Sequence, residues 1–143
     1  MTVFLDTSAL VPVFLADHPH HAASLNLFIR CEPQGRQLCL PQPRRGLSTL
    51  TRLPAPHRAS PEQAIKCLQN INDRFRLISL EGATCLSVIQ DAAAGRIIVG
   101  TIYDALIAAC AVKANADRIY PWNLRHFKQL GPDVTRRLVV PSL

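Results

Sequence analysis

The stretch Ile102-Tyr-Asp-Ala-Leu-Ile-Ala-Ala-Cys-Ala-Val112 is long enough for a helix and has almost no polar face, so as a helix it must be covered on nearly every side. It nevertheless contains Asp104, and a buried carboxylate needs a partner, commonly a metal or another cation. The flanking segments show what could cover such a helix. Thr2-Val-Phe-Leu5 reads as a strand that stops at Asp6-Thr-Ser8, where Ser8 or Thr7 can cap a helix running to Leu15, with Pro12 near its first turn. Ala22–Arg30 has helical spacing, Gln37–Leu40 is a short strand, and Leu47, Leu50 and Leu53 mark a helix stopped by Pro54.

Ser60-Pro61-Glu62-Gln63 combines a capping Ser, Pro at the first helical position and Gln three residues after the cap, so a helix starts there. Phe75–Leu80 follows as a strand, Ala83–Ala94 as a helix, and Thr101–Ala114 as the apolar helix, which Asn115 can close in the left-handed conformation. Arg118–Tyr120 and Leu138–Val140 read as terminal strands. Strands alternating with one or two helices predict a three-layer α/β sandwich around a short, mostly parallel sheet. The 143 residues fit one domain, 1–143, and a composition of 48% hydrophobic and 18% charged residues excludes a disordered chain.

The apolar runs Ile97–Tyr103 and Ala105–Val112 fall short of the ~20 residues that span a bilayer. The start of the chain has no basic region before its first apolar stretch, so a cytoplasmic location is expected. Cys31, Cys39, Cys67, Cys85 and Cys110 are odd in number and widely spaced, which argues for core thiols over a zinc site or disulfide framework. Of the formal charge of +6, most arises between Arg30 and Arg58, where six arginines face the single acid Glu32. Such a field suits a polyanion, or is a solvated basic face.

In a parallel α/β sheet, ligands gather beyond the C-terminal strand ends. Asp6 stands at the end of the first strand and Asn123 three residues after the Tyr120 strand end, and Asp104 can join them in one cavity. Singly, Asp6 also reads as a helix cap and Asn123 as a turn residue. His18, His20 and His21 lack the i, i+4 spacing of a zinc helix and read as a solvated turn with some helix packing. Trp122 can stack a base or pack at a strand end, and Arg125 and His126 can touch substrate or lie exposed.

Val3–Leu10, Tyr103–Tyr120 and Trp122-Asn-Leu-Arg-His-Phe127 together resemble the PIN-domain fold, in particular the VapC toxins of bacterial toxin–antitoxin pairs. The resemblance implies a Mg²⁺- or Mn²⁺-dependent endoribonuclease, with Asp6 and Asp104 as metal ligands at the family's first and third positions, Asn123 as a catalytic residue at the fourth and Ser8 supporting Asp6. It also implies a homodimer and a small VapB-type antitoxin. Arg44, Arg45, Arg52 and Arg125 are the expected contacts to RNA. The sequence departs from the family pattern twice: Arg45 aligns where a second acid is usual, and Pro121 where a hydroxyl is usual. An inward Arg45 would set a guanidinium against the acids that a metal needs; an outward one would meet RNA phosphate. The rival reading is an RNA- or antitoxin-binding module that has kept the fold and lost the chemistry. A nucleotide binder ranks below both, because no Gly-rich phosphate loop is present.

Overall fold

The computed structural model describes residues 1–31, 36–39, 41–96 and 100–143, with the side chains of 36–39, 41–45 and 100 outside that description. Four strands, β1 (Val3–Leu5), β2 (Arg36–Cys39), β3 (Arg76–Ile78) and β4 (Arg118–Tyr120), form an all-parallel sheet in the order β3-β2-β1-β4. Parallel neighbours require crossover connections, which the helices supply. They are α1 (Thr7–Leu10), α2 (His21–Arg30), α3 (Pro41–Arg52), α4 (Pro61–Arg74), α5 (Gly82–Ala94), α6 (Gly100–Lys113), α7 (Leu124–Phe127) and α8 (Pro132–Thr135).

The period of two along β1 produces the layers. Phe4 enters a cluster with Ile107, Ala108, Cys110 and Ala111 of α6 and Phe127 of α7, while Val3 and Leu5 enter another with Leu27 and Phe28 of α2 and Ile71 of α4. Both faces of the strand are therefore buried, as a central parallel strand requires. The three-layer α/β sandwich is the observed architecture. Among the described residues no helix is long and apolar enough to cross a membrane.

Local chemistry accounts for several boundaries. At α4, Ser60 Oγ accepts from the Gln63 N–H at 3.1 Å and Gln63 Oε1 accepts from the Ser60 N–H at 2.9 Å, so the capping box is complete. Asn115 adopts φ 50° and closes α6, with the Ala116 N–H donating to the Ala111 carbonyl at 3.0 Å.

Three expectations need correction. The helix after β1 is capped by Asp6, not by Ser8 or Thr7, and it gives way to a 3₁₀ turn over Val11–Phe14, whose second residue is Pro12. Proline has no N–H for a fourth-residue bond, so the tighter turn takes over there. Leu138–Val140 contributes only a bridge from Leu138 to Ile119, with the Val139 N–H on the Ile119 carbonyl at 2.9 Å. Only Cys110 of the described thiols is fully buried; Cys31, Cys67 and Cys85 are half-buried, and the Cys39 side chain lies outside the description.

Candidate active site

The C-terminal ends of β1 and β4 open into a cavity of about 580 Å³. Asp6, Ser8, Thr49, Asp104, Asn123 and His126 line it, together with His18, His20 and Trp122. β1 delivers Asp6, whose N–H donates to the Tyr120 carbonyl at 3.1 Å and so fixes the carboxylate beside the β4 exit. α6 delivers Asp104, and the turn after β4 delivers Trp122, Asn123 and His126. The three positions expected to converge do so.

Asp6 is 4% exposed. Its Oδ2 accepts from the Ser8 N–H at 3.0 Å and from the Ser8 hydroxyl, and Ser8 Oγ in turn accepts from the Trp122 N–H at 3.0 Å. Ser8 thus ties the first strand end to the last. Asp6 Oδ1 is buried with no hydrogen-bond partner, as is Thr7 Oγ1. Burial pushes the Asp6 carboxyl up, the Ser8 bonds pull it back, and the charge of Asp104 raises it further.

Asp104 is 8% exposed, and its Oδ2 lies 2.7 Å from His126 Nδ1. A carboxylate oxygen only accepts, so the proton at that contact sits on Nδ1. Asn123 Nδ2 stands 3.3 Å from the same Nδ1, and two donors cannot share that contact as a hydrogen bond. The amide is exposed and makes no side-chain cap to α7, although Asn123 is the residue that precedes that helix. Repulsion between the carboxylates alone predicts that Asp104→Asn stabilises the metal-free protein; the His126 bond, weakened in that variant because a neutral amide oxygen replaces the carboxylate, opposes the gain.

His126 is the residue that the sequence reading undervalued. Its partner lies 22 positions away, on another helix. The histidine turn is exposed at His20, as a solvated turn should be, and beyond that expectation His18 and His20 line the cavity, with the His20 ring flat on Trp122, centroids 3.8 Å apart and planes at 11°. His21 Nδ1 contacts the Pro12 carbonyl at 2.8 Å. Arg52 and Arg125 are exposed and do not line the cavity, while the side chains of Arg44 and Arg45 lie outside the described residues. Thr49, one turn after Arg45 on α3, does line it.

A larger cavity of about 820 Å³ lies between α5 and α6, walled by Val88, Ala105, Ala108, Val112 and Leu130. Two of its acids pair with cations, Glu81 with Lys113 at 3.7 Å and Asp133 with Arg136 at 2.9 Å. The smaller cavity holds both Asp6, with its unpartnered Oδ1, and Asp104.

No protein-family model matches the sequence, and no curated protein matches it. Solved structures do. VapC20 of Mycobacterium tuberculosis, a sarcin-ricin loop cleaving toxin, superposes with a TM-score of 0.74 at 13% identity over 93% of this chain and 98% of its own. VapBC2 from Rickettsia felis, bound to a DNA fragment from their promoter, gives 0.66 at 17% identity over 99% and 100%. DNA-bound VapBC from Salmonella typhimurium gives 0.68 at 17% identity over 98% of each chain. The fold is that of the VapC toxins. Asp6, Asp104 and Asn123 line one cavity at one end of the parallel sheet.

The raised Asp6 carboxyl has a consequence for folding. Its pKa is higher in the folded chain than in the unfolded one, so folding takes up a proton, and the contribution of this group is greatest below about pH 4 and is lost as pH rises through the raised value. In chelator, Asp6→Asn should flatten the fall in melting temperature between about pH 4 and neutrality. Calorimetry across that range checks this, and an unchanged slope in the variant would contradict it.

Proposed function

We propose that this chain is a metal-dependent endoribonuclease of VapC type that hydrolyses RNA phosphodiesters. The observation that carries the reading is the pairing of Asp6 and Asp104 in one cavity, with Asp6 Oδ1 buried and unpartnered. An orphaned buried carboxylate oxygen is costly, and a cation relieves it. Among the described residues no three His, Cys, Asp or Glu side chains form a ready metal cluster. Two carboxylates are nevertheless the donor set that suits Mg²⁺ or Mn²⁺, which bind through one or two carboxylates and keep water and substrate phosphate as the remaining ligands. The residues fit one ion.

Asp6 and Asp104 would hold that ion, which supplies Lewis acidity and a water acidified for in-line attack on the phosphodiester. Ser8 holds Asp6 through Oδ2 and leaves Oδ1 for the ion, while His126 holds Asp104 through its own Oδ2. Asn123 brings an amide to the cavity mouth, where it can orient water or a phosphate oxygen. A small VapB-type antitoxin as partner, a homodimer and a cytoplasmic location belong to the same reading. VapBC among the structural neighbours supports the antitoxin.

The test is cleavage of a labelled RNA with and without Mn²⁺, with Asp6→Asn as blank. Metal-dependent cleavage that vanishes in the blank is expected. Binding of RNA or antitoxin with no cleavage under either condition would favour the impaired module, a reading favoured by a donor set of only two acids among the described residues. RNA affinity should also fall at least about tenfold between low and physiological salt, through Arg30, Arg52, Arg58 and their neighbours. A flat salt response would remove the basic stretch from the RNA path.

A further inference from the structure

Trp122 is held at two points. Its N–H donates to Ser8 Oγ at 3.0 Å, and its indole Nε1–H donates to Ser24 Oγ at 3.0 Å, where Ser24 is fully buried in α2. The indole is therefore fixed, and the His20 imidazole lies parallel on it at 3.8 Å. The His20 N–H donates to His18 Nδ1 at 3.1 Å, which fixes the neighbouring ring, with centroids 5.5 Å apart. His18, His20 and Trp122 share the cavity wall with Asp6 and Asp104, and His20 is exposed.

An exposed imidazole gains little from burial, yet this one is held flat on an aromatic floor beside two carboxylates. Single-stranded RNA is gripped by rings of this kind, His included, on which unstacked bases lie. We propose that His20, backed by Trp122, is the stacking platform for an RNA base next to the phosphodiester at the acidic pair. The RNA identity rests on the ribonuclease reading; the platform itself rests on the ring geometry. His20 covers one face of the indole, so the base meets the imidazole rather than Trp122 directly.

The experiment measures binding in chelator, without cleavage. A short fluorescently labelled single-stranded oligoribonucleotide is titrated with wild type, His20→Ala and His20→Tyr, followed by anisotropy and by the emission of Trp122, the single tryptophan. His20→Ala should bind about five- to a hundredfold more weakly, and His20→Tyr should restore most of the affinity. An oligonucleotide made abasic throughout should not distinguish the three proteins, because its phosphates remain and its bases are gone. His20 is exposed, so circular dichroism of His20→Ala should match wild type; a misfolded variant leaves the His20→Tyr and abasic comparisons to decide.

Equal binding by wild type and His20→Ala overturns the platform, as does an emission change that the abasic strand reproduces. A response to an arginine-rich peptide with none to the oligonucleotide also overturns it, in favour of a cation on the ring. The two readings fail separately. Base-dependent binding without any metal-dependent cleavage sinks the ribonuclease alone, whereas cleavage with affinity indifferent to His20 sinks the platform alone.

Discussion

Asp104→Asn should lose measurable Mn²⁺ binding and at least a hundredfold in RNA cleavage. The site offers two carboxylates, so the variant removes half of its anionic charge and one of the oxygens a dication needs. It also replaces the charged acceptor that orients His126, 2.7 Å away, with a neutral amide oxygen. Outer partners of metal ligands alone are worth about ten- to a hundredfold when lost, and a direct ligand should exceed that. His126→Gln, which weakens the brace while leaving both acids, should fall within that smaller range. Calorimetric Mn²⁺ titration beside cleavage of a labelled RNA reads both variants. Retention of metal binding in Asp104→Asn would show that the carboxylates do not share an ion.

Arg45→Glu should bind Mn²⁺ more tightly than wild type and cut RNA faster. The position lies four residues before Thr49, on the same side of α3, and Thr49 lines the cavity. The family pattern that this chain resembles has an acid there. Exchanging a cation for an anion changes the charge by two units; at an effective dielectric of ~20 and a few ångströms this is several kcal/mol of attraction for a dication before desolvation, so a gain of at least about tenfold is expected. The same titration and cleavage assays apply, with Asp6→Asn as blank. A wild type that already matches Arg45→Glu in both would put position 45 outside the site.

What was legible in the sequence was local or charge-based. Ser60 and Gln63 announce α4 because both capping bonds lie within four residues of chain. Asp104 stands out because a carboxylate in an apolar helix is costly without a partner. The brace from His126 and the stack of His20 on Trp122 are different. Each joins elements distant in sequence, and neither histidine has a spacing that reveals its partner. Asp6 was legible as a cap only beside Thr7 and Ser8, since Asp, Thr and Ser in succession can all cap, and only the register of α1 selects among them. The same register turns Ser8 into the link between Asp6 and Trp122.

The sheet order sets when the site comes into being. β1 precedes the other three strands of the sheet and its neighbour β4 follows them, and the bonds between their ends run from the Asp6 N–H to Tyr120 and from the Trp122 N–H to Ser8. Contacts of such long sequence separation form late and slowly. During synthesis, which proceeds from the N-terminus at about 5–20 residues per second, Asp6 waits through β2, β3 and β4 before the turn bearing Asn123 and His126 emerges. A chain that stops before that turn thus carries the acids of the site without its His126 brace, its Asn123 amide or its aromatic wall, and any activity begins only once the segment after β4 has emerged.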